Sequence, residues 1–338
     1  MKKLIQIFAF CSVCILSISV YGQNCCSGGV PISGNLGLPA GDPGALQVSV
    51  TYDLNLLRRL KTGTKEDEET SIRRLRTTQS ALVSAGYTIS PRFAVEAFLS
   101  WVRQERTVTN RNTNSTNFQA ASGVGDLVLM GKFFVLLADQ GPISWQVGLG
   151  LKMPTGSFQE SSDTGIPFGM DLQPGSGTWD GILWSRFSHV IASRPSMSLS
   201  ATATYSLRST NPEFRRVGSG NIQDWQIGDE FQLLVGIADR FQLGSLVFDP
   251  SISFRVRLAE RDVTNGFELD NTGGEWVFWV PGFSLALSPN ISWQATVDIP
   301  VYSRIKGTQL TPSFRLNTGI IFQFPTRKNK DPLNLLGK

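Results

Sequence analysis

The chain has 338 residues, with 31 Lys and Arg against 27 Asp and Glu, for a net charge of +4. So small a surplus excludes the basic footprint of a nucleic-acid-binding protein. The hydrophobic fraction of 41% is ordinary, while 33 glycines and 10% aromatic residues suit an all-β protein rich in turns and interfacial rings.

The N-terminus reads MKKLIQIFAFCSVCILSISVYGQ: Lys2 and Lys3, an apolar run from Leu4 to Val20, then the small residue Gly22. This is the layout of a cleaved secretory signal over residues 1–22. Phe10, Val13 and Asn24 precede Cys11, Cys14 and Cys25, so none of these cysteines follows the small residue that a lipoprotein needs. No later segment offers the roughly 18 uncharged apolar residues of a membrane helix. An exported chain of this kind enters a membrane only as a barrel. Residues 23–43 are Gly/Pro-rich and read as a periplasmic arm or a plug. They carry the adjacent Cys25 and Cys26, the candidates for a soft metal such as copper. No other metal and no cofactor is expected.

Alternation and turn residues then predict strands at 44–56, 73–89, 92–108, 124–138, 142–153, 177–191, 196–208, 223–238, 241–259, 275–288, 291–303 and 312–324. The segment MSLSATATYSL (197–207) alternates throughout, apolar at odd positions and small polar at even ones. One face is greasy and one is wet. What joins the strands tells which face looks inward. Connections after even-numbered strands are tight, as at Ser90-Pro91, Gln140-Gly141 and Asp239-Arg240. Those after odd-numbered strands are longer and polar, such as RLKTGTKEDEET, TNRNTNSTNFQAAS and STNPEFRRVGSGN; the third, PTGSFQESSDTGIPFGMDLQPGSG, is the longest. The pattern predicts a transmembrane antiparallel up-and-down β-barrel of about twelve strands (44–324), with short periplasmic turns and long extracellular loops. Residues 325–338 form a periplasmic tail. The greasy face then meets outer-membrane lipid. Phe93, Trp145, Phe187, Trp293 and Phe324 fall at the periplasmic rim, and Trp101, Trp179, Tyr205 and Trp225 at the outer rim.

Five segments carry a likeness: GVGDLVLMGKF (123–133), LKMPTGSF (151–158), DLQPGSGTWD (171–180), IGDEFQLLVGI (227–237) and VDIPVYSRIKGTQLTPSFRLNTGIIFQF (297–324). Together they resemble the meta-pathway phenol degradation, or MetA-like, family of outer-membrane transporters. The resemblance implies a bacterial outer-membrane barrel that passes small, partly apolar molecules, without implying phenols for this chain. It departs from many such barrels in continuing past Phe324, which bears on recognition by the barrel assembly machinery.

Charges in phase with the wet face are Asp53, Arg74, Arg76, Glu96, Asp126, Lys132, Asp180, Arg186, Glu230, Asp249, Arg255, Arg257, Asp298 and Arg315. They are the candidates for lining a lumen, because a basic group facing lipid at the midplane costs roughly 2–4 kcal/mol. Their mixed signs argue against a strongly ion-selective pore. The third loop is long enough to fold inward, and Phe168, Met170 and Leu172 are its candidates for meeting a solute at a constriction. His189, the single histidine, lies on the greasy face, while Ser188 points the other way, so a serine nucleophile with a histidine base is not expected. The chain therefore reads as a non-enzyme: a passive outer-membrane channel for small, partly apolar solutes. The competing reading is a non-transporting structural or partner-binding barrel that holds a periplasmic factor, or a metal, through its N-terminal arm.

Overall fold

A computed structural model describes residues 43–67, 71–215, 221–244 and 246–325. The expected leader, Cys25, Cys26 and the C-terminal tail lie outside these residues. Alternating side chains favour extended backbone, and the observed strands follow the alternation. They are β1 (Leu46–Thr62), β2 (Lys65–Glu66), β3 (Ile72–Ser90), β4 (Phe93–Asn110), β5 (Ser115–Val124), β6 (Leu127–Leu136) and β7 (Ile143–Met153). Next come β8 (Asp180–Val190), β9 (Met197–Leu207), β10 (Thr210–Arg215), β11 (Ile222–Gln226), β12 (Glu230–Asp239), β13 (Phe241–Leu243) and β14 (Leu246–Ala259). The chain closes with β15 (Val263–Thr264), β16 (Phe267–Glu268), β17 (Gly274–Ser288), β18 (Ile291–Ile305) and β19 (Thr308–Phe324).

Twelve antiparallel staves form a ring in the order β12, β9, β8, β7, β6, β4, β3, β1, β19, β18, β17 and β14, and pairing of β12 with β14 closes it. The first and last staves zip together from Leu46 opposite Phe324 to Thr62 opposite Thr308. Closure removes the edge strands that lipid would not tolerate. The odd residues of MSLSATATYSL face outward, with Leu199 and Leu207 exposed. Trp101, midway along β4, and Trp179, just before β8, are exposed on the outer side; Phe93, Trp145, Phe187, Trp293 and Phe324 are exposed near the tight turns. These are the two girdles of a membrane barrel.

Three expectations need correction. The polar stretch TNRNTNSTNFQAAS is not all loop: β5 continues the stave of β6 beyond a break at Gly125-Asp126 and pairs the outer half of β4. A hairpin raised above lipid needs no greasy face, so alternation gave no sign of it. The expected strand 223–238 is two elements, because β11 leaves the wall and joins β10, β15 and β16 in a small sheet over the outer end. Trp225 on β11 therefore misses the rim and packs edge-on against Phe214 at 5.4 Å. Finally, the inner face is not uniformly wet. Leu82, Phe98, Val128, Met130, Ile182 and Trp184 make a buried cluster, as expected where a narrow barrel fills itself with side chains.

The wall has one slit. β18 and β19 pair from Ile291 opposite Phe322 only as far as Asp298 opposite Arg315. Beyond that, Pro300 and Pro312, which have no N–H to give, flank a space of about 70 Å³. Lys61 Nζ donates to Ser303 Oγ at 2.8 Å between two of its lining residues.

Candidate functional site

The third loop, 154–179, folds into the mouth of the barrel and is fastened by buried charge. Lys152, at the end of β7, is 1% exposed. Its ammonium lies 2.7 Å from Asp126 Oδ2 and 2.9 Å from Asp180 Oδ2, and it also donates to Ser176. Asp126 in turn accepts the backbone N–H groups of Gly156 and Ser176, each at 3.0 Å. Asp180 takes Arg208 Nη1 at 3.0 Å and the Ser209 N–H at 3.0 Å. Both carboxylates are thus paired and hydrogen-bonded, which is what allows charge to stay buried.

The glycine motifs exist for this latch. A Cβ on Gly156 would stand 2.8 Å from the Gly125 carbonyl carbon, so only glycine lets the loop backbone approach Asp126. Gly177 has φ +70° and would drive a Cβ to 2.4 Å from Asn211 Nδ2, whose amide donates to Ser176 O at 2.9 Å.

Phe168, Met170 and Leu172 are 5%, 1% and 0% exposed. Phe168 and Leu172 pack on Ala121 of β5, and Met170 on Phe214 and Ile227. These three residues hold the loop against its neighbours and do not line the cavity. Asp171, on the same short turn (Met170–Leu172), does line it.

That cavity has a volume of about 540 Å³ and sits at the outer end. Arg74, Arg76 and Arg106 supply its positive lining, Asp171 and Asp262 its carboxyls, and Leu60, Leu310 and Trp225 are among its apolar lining, with Leu57 buried behind them. Arg76 Nη1 and Arg106 Nη1 converge on Asp171 Oδ2 at 3.1 and 3.4 Å. Arg76 Nη2 also donates to Gln104 Oε1 at 3.1 Å, and Arg106 forks onto Gln119 Oε1. Burial pushes the Asp262 carboxyl well above the ordinary carboxylate range; the Gly228 N–H opposes that push and the charge of Asp171 adds to it. Sequence reading identified Arg74 and Arg76 but missed Asp171, Arg106 and Asp262. Arg106 was within reach, since it keeps the inward phase of Glu96 and Gln104.

The remaining charges form pairs below the mouth. Arg315 Nε meets Asp53 Oδ2 at 2.8 Å, Arg255 meets Asp298 at 2.6 Å, and Arg257 meets Glu230 at 2.6 Å. Lys132 pairs with Glu96 and lies over the Trp184 ring, 4.7 Å from its centroid. Asp249 binds Arg240 at 2.7 Å beside a periplasmic turn. Arg186 has no ion-pair partner among the described residues; its backbone stands between Gln146 and Thr202. His189 keeps the outward phase, opposite Ile143 and Leu199.

The family described as "Putative MetA-pathway of phenol degradation" matches residues 62–316. The chain belongs to that family. The matched span runs from the end of β1 into β19, so it holds the latch, all the inner pairs save Asp53 and the cavity lining save Leu57 and Leu60. No curated protein matches the chain in sequence. Among solved structures, the COG4313 outer membrane channel from Pseudomonas putida F1 is similar at TM-score 0.66 and 14% identity, covering 84% of this chain and 97% of that one. The transport unit of the autotransporter AIDA-I from Escherichia coli reaches 0.49 at 12% identity, over 86% and 94% of the two chains. The CymD monoaromatic hydrocarbon channel reaches 0.39 at 9%, over 85% and 89%. The likeness to the Pseudomonas barrel is one of fold. With the exposed apolar belt and its girdles, it makes this family member an outer-membrane β-barrel.

Proposed function

We propose that the protein is a passive outer-membrane channel for small, partly apolar molecules. The observation that carries this reading is the cavity of about 540 Å³ at the outer end. Its size falls within the roughly 300–1,000 Å³ of small-molecule sites, and its surface mixes guanidinium groups with leucine and indole. Opposite charges pair along the inner wall, so no single-sign ring screens ions. The inward loop narrows the mouth and sets the size of what passes.

Swelling of liposomes that hold the refolded protein tests this, with sugars, amino acids and small aromatics as solutes. The wild type should pass small solutes with a cutoff, and deletion of 160–172 should raise that cutoff. Heat-modifiable migration on gels establishes that both are folded barrels. Equal cutoffs in two folded proteins would overturn the role of the loop, and no swelling from either would overturn the channel.

A further inference from the structure

We propose that the outer cavity selects a small amphipathic acid, whose carboxylate takes the place of the Asp171 carboxylate on Arg76 and Arg106 while its apolar body rests on Leu60, Leu310 and Trp225. The inference rests on the channel reading and names its solute class.

Three features support it. First, the loop already presents an anion to this arginine pair: both guanidinium groups converge on one oxygen of Asp171. A guanidinium recognises a carboxylate wherever the carboxylate comes from. Asp171 is on a connecting turn and its side chain is 35% exposed, whereas that of Arg76 is 7% exposed. Arg76 is fixed in the wall, while Arg106, 30% exposed, and Asp171 are both open to an incoming acid.

Second, arginines outnumber carboxyls among the described lining residues. Three arginines face two carboxyls, and burial favours the neutral form of one of these, Asp262. An anion entering this lining offsets charge, and a cation adds to it.

Third, Trp225 brings a ring to the lining, and its covered indole N–H has no acceptor among the described residues. A solute with a polar head and an apolar body uses all three features. An inorganic anion uses only the arginines, and a hydrocarbon only the leucines and the ring.

Equilibrium binding to the detergent-solubilised full chain tests this with benzoate, benzyl alcohol, benzylamine and acetate. Benzoate should bind roughly tenfold or more tightly than each of the others. Asp171→Asn removes the resident competitor and should tighten benzoate severalfold, leaving benzyl alcohol unchanged. Arg106→Gln should weaken benzoate roughly tenfold, and Arg106→Lys should restore part of that loss. Gel migration reports whether each variant is folded, and the Asn variant keeps the shape of the turn. Equal binding of benzoate and benzyl alcohol would overturn the inference, as would benzoate affinity that ignores both sites. Flux in liposomes separates this from the channel reading. Solute flux with no preference for the acid leaves a channel and removes its selectivity. Acid-selective binding without flux leaves the site and removes the channel.

Discussion

The two sides of the barrel are built to different heights. On one side, β1, β3, β4 and β19 run 17, 19, 18 and 17 residues. On the other, β7, β8, β9 and β12 run 11, 11, 11 and 10 residues. The short staves have the length of a membrane-crossing strand, about 9–11 residues, and no more. The tall staves cross and then continue. On β4 the outward residues run from Phe93 through Leu99 to Trp101, all exposed and greasy, and then turn to Arg103 and Glu105, which pair at 2.7 Å. The extension provides Arg74, Arg76 and Arg106 for the cavity. The short side has nothing to offer at that level, and the latched loop and the small outer sheet stand where its wall would be. The arginines sit on strands, and the carboxylate that answers them sits on the latched loop.

The largest change should come from breaking the short side's substitute wall. Lys152→Met leaves the buried Asp126 and Asp180 without their shared cation, at a cost of about 3–5 kcal/mol. Urea unfolding in micelles should show the loss, and protease should cut within 154–179 where the wild type resists. The next test sharpens the difference in height. Leu149 is 70% exposed in the middle of β7, so Leu149→Arg faces lipid and should cost about 2–4 kcal/mol. Phe118→Arg on β5 lies beside the polar extension, and its cost should stay under about 1 kcal/mol. Equal costs at the two positions would break the comparison. A smaller effect is expected from Gly156→Ala, which overpacks the contact with Gly125 by about 1–3 kcal/mol and should loosen the same loop.

The smallest effect is a pH slope in the outer sheet. Burial raises the Asp262 carboxyl in the folded state, so the folded protein holds that proton more tightly than the unfolded chain does. The stabilisation is complete below the ordinary carboxylate range and is lost as pH rises through the raised value. Amide protection across 260–273, taken relative to the intrinsic exchange rate at each pH, should therefore fall between acidic and neutral pH. Asp262→Asn should reduce that slope without abolishing it, because burial raises Glu260 in the same direction.

How much of this was legible depended on where lipid imposes a rule. Inside the belt, period-two alternation had to hold, and MSLSATATYSL (197–207) and SWQATVD (292–298) were read correctly for that reason. Above the belt, water accepts either face, so β5 and β10 passed for loops. The segments GVGD, PTGS and QPGSG each bring a glycine against Asp126 or its neighbour Gly125. That all three close on a single aspartate, Asp126, was not legible, because the segments are far apart in sequence. The third loop was recognised as inward-folding by its length. Its apolar side chains, expected to meet a solute, find a buried surface and hold the loop, and Asp171 between them faces the cavity.

The slit between β18 and β19 fixes how deep the molecule sits. Backbone groups that a ladder would pair are tolerable only where water or protein can meet them. The pairing stops at Asp298 opposite Arg315. From Phe324 back to Arg315 is a run of about ten residues, the length of one membrane crossing. Above Asp298 and Arg315, the last shared rung of this hairpin, the unpaired backbone from Pro300 to Pro312 calls for water or protein rather than lipid.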